Sequence, residues 1–358
     1  MINLLLTDDS MPLGGKETLL LNYLKRLGRD IFRVHVATLT SNGELIAEAK
    51  EYSDHYFCLE RKTAVDICAI WRLRRIIINH QIQLVHTNQW IDSLYVYAST
   101  AGLNVKKVST IHGNISGWRR QIYRAILRRF DRVICVSESS RTDLISQGYS
   151  KSNLDVIYNG ISLDDFRKTE SCSSDRMFIH IGMTGSFRKE RDHLTLCRAI
   201  HHLVQTGDNR IRVRLIGAAL EPEREAEVKC YCKEKGLYEY IRFIGPCRDI
   251  PQQLSQLDIY VASSISETFG LALVEAMACG LPVIASDIPA FMEIIEHGKY
   301  GLHFQVGNAE ELAQHIGALM KDKALRVQYG GLARKRAAAF SIASSVRRME
   351  SLYEHLVG

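Results

Sequence analysis

Short apolar runs alternate with stretches of helical period along this chain, and the alternation runs twice. Strands buried on both faces read as unbroken apolar runs, because helices cover both sides of a parallel sheet. Runs of that kind separated by amphipathic helices leave few solutions besides an open α/β sheet. In the first pass the strands are expected at Ile2–Leu6, Val34–Thr38, Leu84–His86, Lys107–Ile111, Arg132–Val136 and Leu154–Ile157. Helices are expected near Gly15–Leu27, Ala64–His80, Asp92–Ala101, Arg119–Phe130 and Ser139–Gln147. Asp164–Asp175 reads DDFRKTESCSSD, polar and without period, as a linker does. The second pass places strands at Phe178–Met183, Arg212–Ile216, Ile241–Ile244, Ile259–Ala262 and Pro282–Ala285. Its helices fall near Asp192–Gln205, Glu221–Lys235, Ile250–Gln256, Gly270–Cys279 and Ala309–Lys321, and a last helix covers Ser341–Leu356. The expectation is an α/β protein of two Rossmann-like domains facing each other across a cleft, 1–168 and 176–340. Ligands of such sheets bind beyond the carboxyl ends of the strands.

The 358 residues suffice for two domains, and 46% hydrophobic with 24% charged residues excludes a disordered or fibrous chain. The net charge of +6 is too mild to argue for a nucleic-acid partner. It is uneven, +5 over residues 1–170 and +1 over the remainder, so an anionic partner is expected on the first half. Nine scattered cysteines without a CxxC pair read as reduced thiols and not as a zinc site. The start lacks the pattern of a secretory leader, and no apolar run approaches the ~20 residues of a membrane span. A cytoplasmic protein is expected, peripheral at the inner face of the membrane at most.

Ser266–Ser286, SETFGLALVEAMACGLPVIAS, carries the most chemistry. A strand leads into a polar loop, and a helix then starts near Leu271 and stops at Gly280, with Pro282 beyond it. The backbone N–H groups around Thr268, Phe269, Gly270 and Leu271 lie at a helix N-terminus, which suits a phosphate. Glu267 precedes the helix and Glu275 lies more than a turn inside it, about 10 Å apart along the axis. That matches the reach from sugar to ribose in one nucleotide-diphosphate sugar, and carboxylates accept hydrogen bonds from paired hydroxyls. Taken singly, Glu267 reads as a helix cap and Glu275 as surface charge; the combination favours the ligand reading.

The Glu267-x7-Glu275 pattern resembles the signature of glycosyltransferase family 4, a large family of retaining enzymes with the GT-B fold. The resemblance spans nearly the whole chain. Pro12-Leu-Gly14-Gly15-Lys-Glu17 resembles the family's glycine loop, Ser109-Thr-Ile-His112-Gly113 its acceptor-side histidine motif, and Val136–Ser139 a characteristic strand end. Val156–Ile161 with Phe166 resembles the exit from its first domain, and Ser286–Pro289, Glu293, Gly298 and Gly301 the segment after its second glutamate. The last helix, 341–358, resembles the one that crosses back onto the first domain.

The resemblance implies sugar transfer with retention and without a metal or other cofactor, from a nucleotide-sugar donor to a glycan or lipid-linked acceptor. Bacterial surface polysaccharide, such as lipopolysaccharide, is the expected setting. It implies that Glu267 holds donor sugar hydroxyls and Glu275 the ribose, that His112 lies against the donor sugar, and that Gly14 and Gly15 close over the diphosphate. The base would rest on the backbone around Arg248–Ile250. The second phosphate loop, Gly182–His193, departs from the family: after Gly185, Ser186 stands where an Arg is usual, and Arg191 where a Lys is usual. Arg188 is the candidate replacement cation, and loss of catalysis in a sugar-nucleotide binder is the alternative. An epimerase on the same fold is a third reading, which the paired glutamates oppose.

Gly15-Lys16-Glu17-Thr18 is not a P-loop, and Gly182-x-x-Gly185 lacks the third glycine of a dinucleotide site. No Asp-x-Asp occurs. Asp8 and Asp9 read as loop residues at the end of the first strand. His86 reads as structural or as an acceptor contact. Trp118–Arg132 holds six arginines and one aspartate, with Trp118, Ile122, Ala125 and Ile126 on one expected face. It reads either as a packed helix with solvated arginines or as a surface for anionic lipid.

Overall fold

The computed structural model describes residues 1–113, 117–166 and 177–358. It forms two compact units, Met1–Gly160 with Ile342–Gly358, and Ile161–Ser341.

The first unit is a parallel sheet of β1 (Ile2–Asp8), β2 (Phe32–Thr38), β3 (His55–Cys58), β4 (Leu84–Thr87), β5 (Lys106–Ile111), β6 (Arg132–Cys135) and β7 (Leu154–Val156). Their order across the sheet is β3-β2-β1-β4-β5-β6-β7. Leu4, Leu5 and Leu6 of the central β1 are all buried, alternately toward the two layers of helices. Each contributes about 1.5–3 kcal/mol by leaving water. Strand order reverses between β1 and β4, so their carboxyl ends, Asp8 and Thr87, flank the crevice where such sheets take ligands.

The last helix, Ile342–Val357, belongs to this unit. Ile342, Val346, Met349 and Tyr353 complete the core around Leu4, Leu6, Val34 and Val108. Its polar contacts agree: Glu350 accepts from the Gly28 N–H at 2.8 Å, and Ser345 donates to the Tyr158 carbonyl at 2.7 Å.

The second unit is a parallel sheet of β8 (Ile179–Thr184), β9 (Ile211–Ile216), β10 (Ile241–Gly245), β11 (Ile259–Ala262), β12 (Val283–Ser286) and β13 (Leu302–Phe304), ordered β10-β9-β8-β11-β12-β13. Its reversal lies between β8 and β11. Ile161–Phe166 pack here and not with the first unit: Ile161 bridges Ser341, and its N–H donates to the Phe340 carbonyl at 2.9 Å. The break therefore falls before residue 168. Most of the expected linker, 167–176, lies outside the described residues.

Several elements differ from the sequence expectation. Edge strands β3 and β13 were not anticipated, nor were the helices Ile46–Glu51, Pro289–Ile294 and Lys323–Ala337. The edge strands are three or four residues long and partly exposed, so they lack the buried run that marks a central strand. The helix expected at Asp92 starts at Trp90, because Gln89 and Asp92 form a capping box.

Candidate active site

In the second unit, the loop after β8 and the loop after β11 are laced together. The Asp192 N–H donates to the Ser263 carbonyl at 3.0 Å, and the Ile265 N–H to the Glu190 carbonyl at 2.8 Å. Ser286 secures the second loop from β12: its hydroxyl donates to the Ser264 carbonyl at 2.6 Å and accepts the Ser264 N–H at 3.1 Å. These contacts hold the Arg191 side chain against the carboxyl edge of the sheet. Its guanidinium meets Glu267 at 2.6 Å, with only 12% and 9% of the two side chains exposed. The buried Nε of Arg191 has no hydrogen-bond partner among the described residues.

Glu275 lies in the same neighbourhood. Burial pushes its carboxyl up to about 7, against the pull of Arg191. Tyr260 bonds Thr184 at 2.8 Å, and burial pushes its phenol up to about 12. Thus one arginine serves two carboxylates, one paired and one poised near neutrality.

Gly270 opens the helix Leu271–Ala278 at φ +120°, and a Cβ there would meet the Phe291 ring at 2.6 Å. Only glycine fits. Gly217 is packed as closely: a Cβ would sit 2.0 Å from the Gly185 carbonyl oxygen.

In the first unit, Lys16 in the first turn of the helix Gly15–Leu24 reaches both oxygens of buried Asp8 at 2.6 Å and Glu17 at 3.0 Å. Burial pulls the Lys16 ammonium down, but the two carboxylates outweigh it and the net shift is upward. Gln89 donates to Asp8 at 2.9 Å. Asp92 is fully buried and accepts from the N–H groups of Asn88, Gln89 and Ser93 at 2.8–2.9 Å and from the Thr7 hydroxyl at 3.0 Å. Burial, with Asp8 nearby, pushes it up to about 8.

His112 directly follows β5, with its Nε2 at 3.4 Å from Asn88 Oδ1. Burial, Lys16 and His86 lower it to about 3, so it is a neutral imidazole at physiological pH. His112, Lys16, His86 and Asn88 help line an enclosed cavity of about 20 Å³, the size of one water.

Both units are covered by the family comparisons. Residues 13–165 match the model for Glycosyltransferase Family 4, and residues 167–336 the model for Glycosyl transferases group 1. The chain belongs to this glycosyltransferase family. The O-antigen biosynthesis glycosyltransferase WclY of Escherichia coli is 28% identical over 63% of this chain and 61% of its own length. The match thus spans about three fifths of that relative. The N-acetyl-alpha-D-glucosaminyl L-malate synthase of Bacillus anthracis is 24% identical over 80% of this chain and 78% of its length. The structure of Anabaena HepE in complex with UDP and glucose superposes with a TM-score of 0.86 at 21% identity, covering 99% of this chain and 100% of that one. This likeness establishes the GT-B fold.

The glycosyltransferase places the expected site residues unevenly. Arg191, Glu267 and Glu275 converge, with Gly185, Ser186, Thr268, Gly270 and Leu271 on the loops and helix end that carry them. Phe269 sits in the core, edge-on to Phe340 at 5.6 Å, so only its backbone is available to a ligand. Arg188 is half-exposed and lies 3.8 Å from Glu190. Arg248 is exposed and Ile250 begins a short helix capped by Asp249, both beyond β10 at the sheet edge. Gly14 caps the helix that presents Lys16 and Gly15 is its first residue.

Sequence reasoning dismissed Lys16 because it lacked the P-loop spacing, and passed over Asp92, Thr184 and Tyr260. His86 proves structural: Nε2 bonds Thr110 at 2.7 Å, Nδ1 bonds the Tyr353 hydroxyl, and burial lowers it to about 3. In the helix Trp118–Leu127 the buried face is Tyr123, Ile126 and Leu127, so the expected apolar face is split, with Ile122 41% exposed and Ala125 exposed. The Trp118 side chain and residues 114–116 lie outside the described residues.

Proposed function

We propose that this glycosyltransferase moves a sugar from a UDP- or GDP-sugar to a glycan or lipid-linked acceptor, with retention at the anomeric carbon and without a metal ion, in bacterial surface polysaccharide synthesis. The observation that carries the reading is the buried Arg191–Glu267 pair with Glu275 beside it. Glu267, paired with Arg191, accepts hydrogen bonds from donor sugar hydroxyls. Glu275 accepts from the ribose hydroxyls. Those donors favour its charged form and draw its pKa below 7 on binding.

Departure of the nucleoside diphosphate develops negative charge on phosphate. Arg191, whose Nε is uncommitted, and the N–H groups at the start of the helix Leu271–Ala278 are fixed in advance to receive it. Arg188 is the second cation in this reading. His112, neutral and hydrogen-bonded to Asn88, can accept or donate one hydrogen bond to sugar without adding charge.

The acceptor reading includes a membrane surface. Among the described residues no helix is long and apolar enough to cross a membrane. The helices Ile67–Asn79, Trp90–Ser99 and Trp118–Leu127 pack side by side in the first unit. The first exposes Ile67 (72%), Trp71 (63%) and Ile78 (52%), with exposed Arg72 and Arg75 among them. The third adds exposed Arg119 and Arg120 and is followed by exposed Arg128 and Arg129. Apolar side chains among arginines fit anionic headgroups.

The test is thermal unfolding with UDP, GDP, ADP and TDP, each with and without EDTA, followed by donor turnover and the anomeric configuration of the product by NMR. A nucleotide at ~100 times its dissociation constant adds about 2.7 kcal/mol. A shift with one nucleotide, unchanged by EDTA, and a retained anomer are expected. No shift with any nucleotide and no donor hydrolysis would overturn the reading in favour of a non-catalytic protein, which Ser186 in place of the usual arginine favours.

A further inference from the structure

Away from the carboxyl edge, three imidazoles from three elements of the first unit meet. His35 of β2 and His55 of β3 are opposed in register. His80 follows the helix Ile67–Asn79 as its C-cap residue. Ring centroids are 5.2 Å apart for His35–His55, 5.1 Å for His35–His80 and 4.9 Å for His55–His80. Each residue offers a ring nitrogen within 4.8 Å of the others'.

His35 is only 1% exposed, yet among the described residues neither of its ring nitrogens has a hydrogen-bond partner. A buried polar group without a partner is costly and calls for an explanation. We propose that His35, His55 and His80 bind one divalent transition-metal ion with the ligand preference of zinc, and that the ion clips edge strand β3 to β2 and to the end of the helix Ile67–Asn79.

Three neutral imidazoles select zinc, copper or nickel over magnesium or calcium. Burial, with the neighbouring His80 and His55, lowers His35 to about 4, so it is an unprotonated ligand at neutral pH. Tetrahedral coordination at 2.0–2.1 Å sets the nitrogens about 3.3 Å apart. His55 is exposed and His80 half-buried, so both can swing in toward the fixed His35.

The charged groups around His35 are Asp54 and Arg33. Asp54 Oδ2 is engaged by the Val34 N–H at 2.7 Å and by Arg29 at 3.1 Å, and its carboxylate does not join the cluster of the three imidazoles, which leaves the fourth position to water. Phe57 stacks beside His35 and His55 and shields one side. His55 begins β3 and His80 ends an antiparallel helix, so the cluster lies toward the amino ends of the strands, opposite Asp8 and Thr87. The site is structural, and it stands whether or not the proposed transfer reaction does.

The test titrates the chelator-stripped full chain, after removal of chelator, with zinc chloride by calorimetry and with cobalt chloride by visible absorption. One ion per chain is expected, with cobalt ligand-field bands. His55→Ala and His80→Ala should each weaken affinity at least tenfold while leaving metal-free unfolding unchanged, and the exposed His202→Ala should not alter affinity. Amide exchange at Tyr56–Cys58 should slow on zinc binding. If His80→Ala perturbs folding, His80→Gln and His55→Ala decide. Saturable binding absent below about 100 µM, or equal in wild type and His55→Ala, overturns the proposal.

Discussion

The Tyr353 hydroxyl bonds Nδ1 of His86, joining the last helix of the chain to the ligand-binding end of β4. Both side chains are buried, and the other His86 nitrogen is taken by Thr110 at 2.7 Å. Tyr353→Phe keeps the ring packed against Phe32 but leaves a buried imidazole nitrogen unsatisfied. A loss of about 1–3 kcal/mol in urea unfolding is expected. His86 must stay neutral in the fold: its pKa of about 3 lies below the ordinary 6.5. The stability it contributes is present above pH 6.5 and is lost as pH falls toward 3. Its ring nitrogen signals in NMR should therefore not titrate at pH 5.

Arg191→Ala leaves Glu267 as an unpaired, largely buried carboxylate and removes the buried cation of the Gly182–His193 loop. Donor turnover should fall about 100–1,000-fold. Arg191→Lys keeps the charge and should lose far less, although it cannot reproduce the planar contact. Arg188→Ala should also slow turnover; a near-normal rate there would leave the diphosphate to Arg191.

Glu275→Gln separates function from stability. The native carboxyl is held near 7 against an ordinary 4.5, so the fold is penalised for its ionisation above that range and not below it. The variant should gain about 3 kcal/mol at pH 8 and almost nothing at pH 4.5. The same change should abolish nucleotide-induced stabilisation at pH 7.

Gly270→Ala meets two obstacles at once, a φ of +120° and the Phe291 ring. A loss of about 2–4 kcal/mol is expected in unfolding of the second unit. Trimming Phe291 to Leu in the same chain should recover part of it.

Trp71→Ser with Arg72→Glu and Arg75→Glu should lower sedimentation with vesicles of anionic lipid. Arg119→Glu with Arg120→Glu should do the same without changing nucleotide binding. Unchanged vesicle binding in both sets would confine the acceptor reading to water-soluble glycans.

Elements that bury a continuous run could be seen in the sequence. The Leu4–Leu6 core of β1 and the Ile259–Ala262 run of β11 announce themselves. The four-residue edge strand β3 does not, because one imidazole, two aromatic rings and a thiol reveal no period. Site residues followed the same division. Glu267 and Glu275 stood out because one loop and helix carry both. Arg191 also stood out, in the place of a usual Lys, but its pairing with Glu267 did not, because it lies far upstream and the lacing of the 190–192 loop to 263–265 brings it in. Asp92 was missed because a carboxylate in a first helical turn reads as an exposed cap, whereas here four donors gather around it in the interior. The His35–His55–His80 group was invisible because separations of 20 and 25 positions carry no motif.

Because Ile342–Val357 completes the first unit, synthesis and folding of this chain run out of step. The seven strands of that unit are translated early, yet the cover over Leu4, Leu6 and Val108 is made only after all of Ile161–Ser341 has followed. At ~5–20 residues per second the delay is about 10–35 s, far longer than hydrophobic collapse. The nascent first unit thus waits on the ribosome with an open apolar flank, while the second unit, contiguous in the chain, can close first. The last helix is therefore the element that closes the first unit's core.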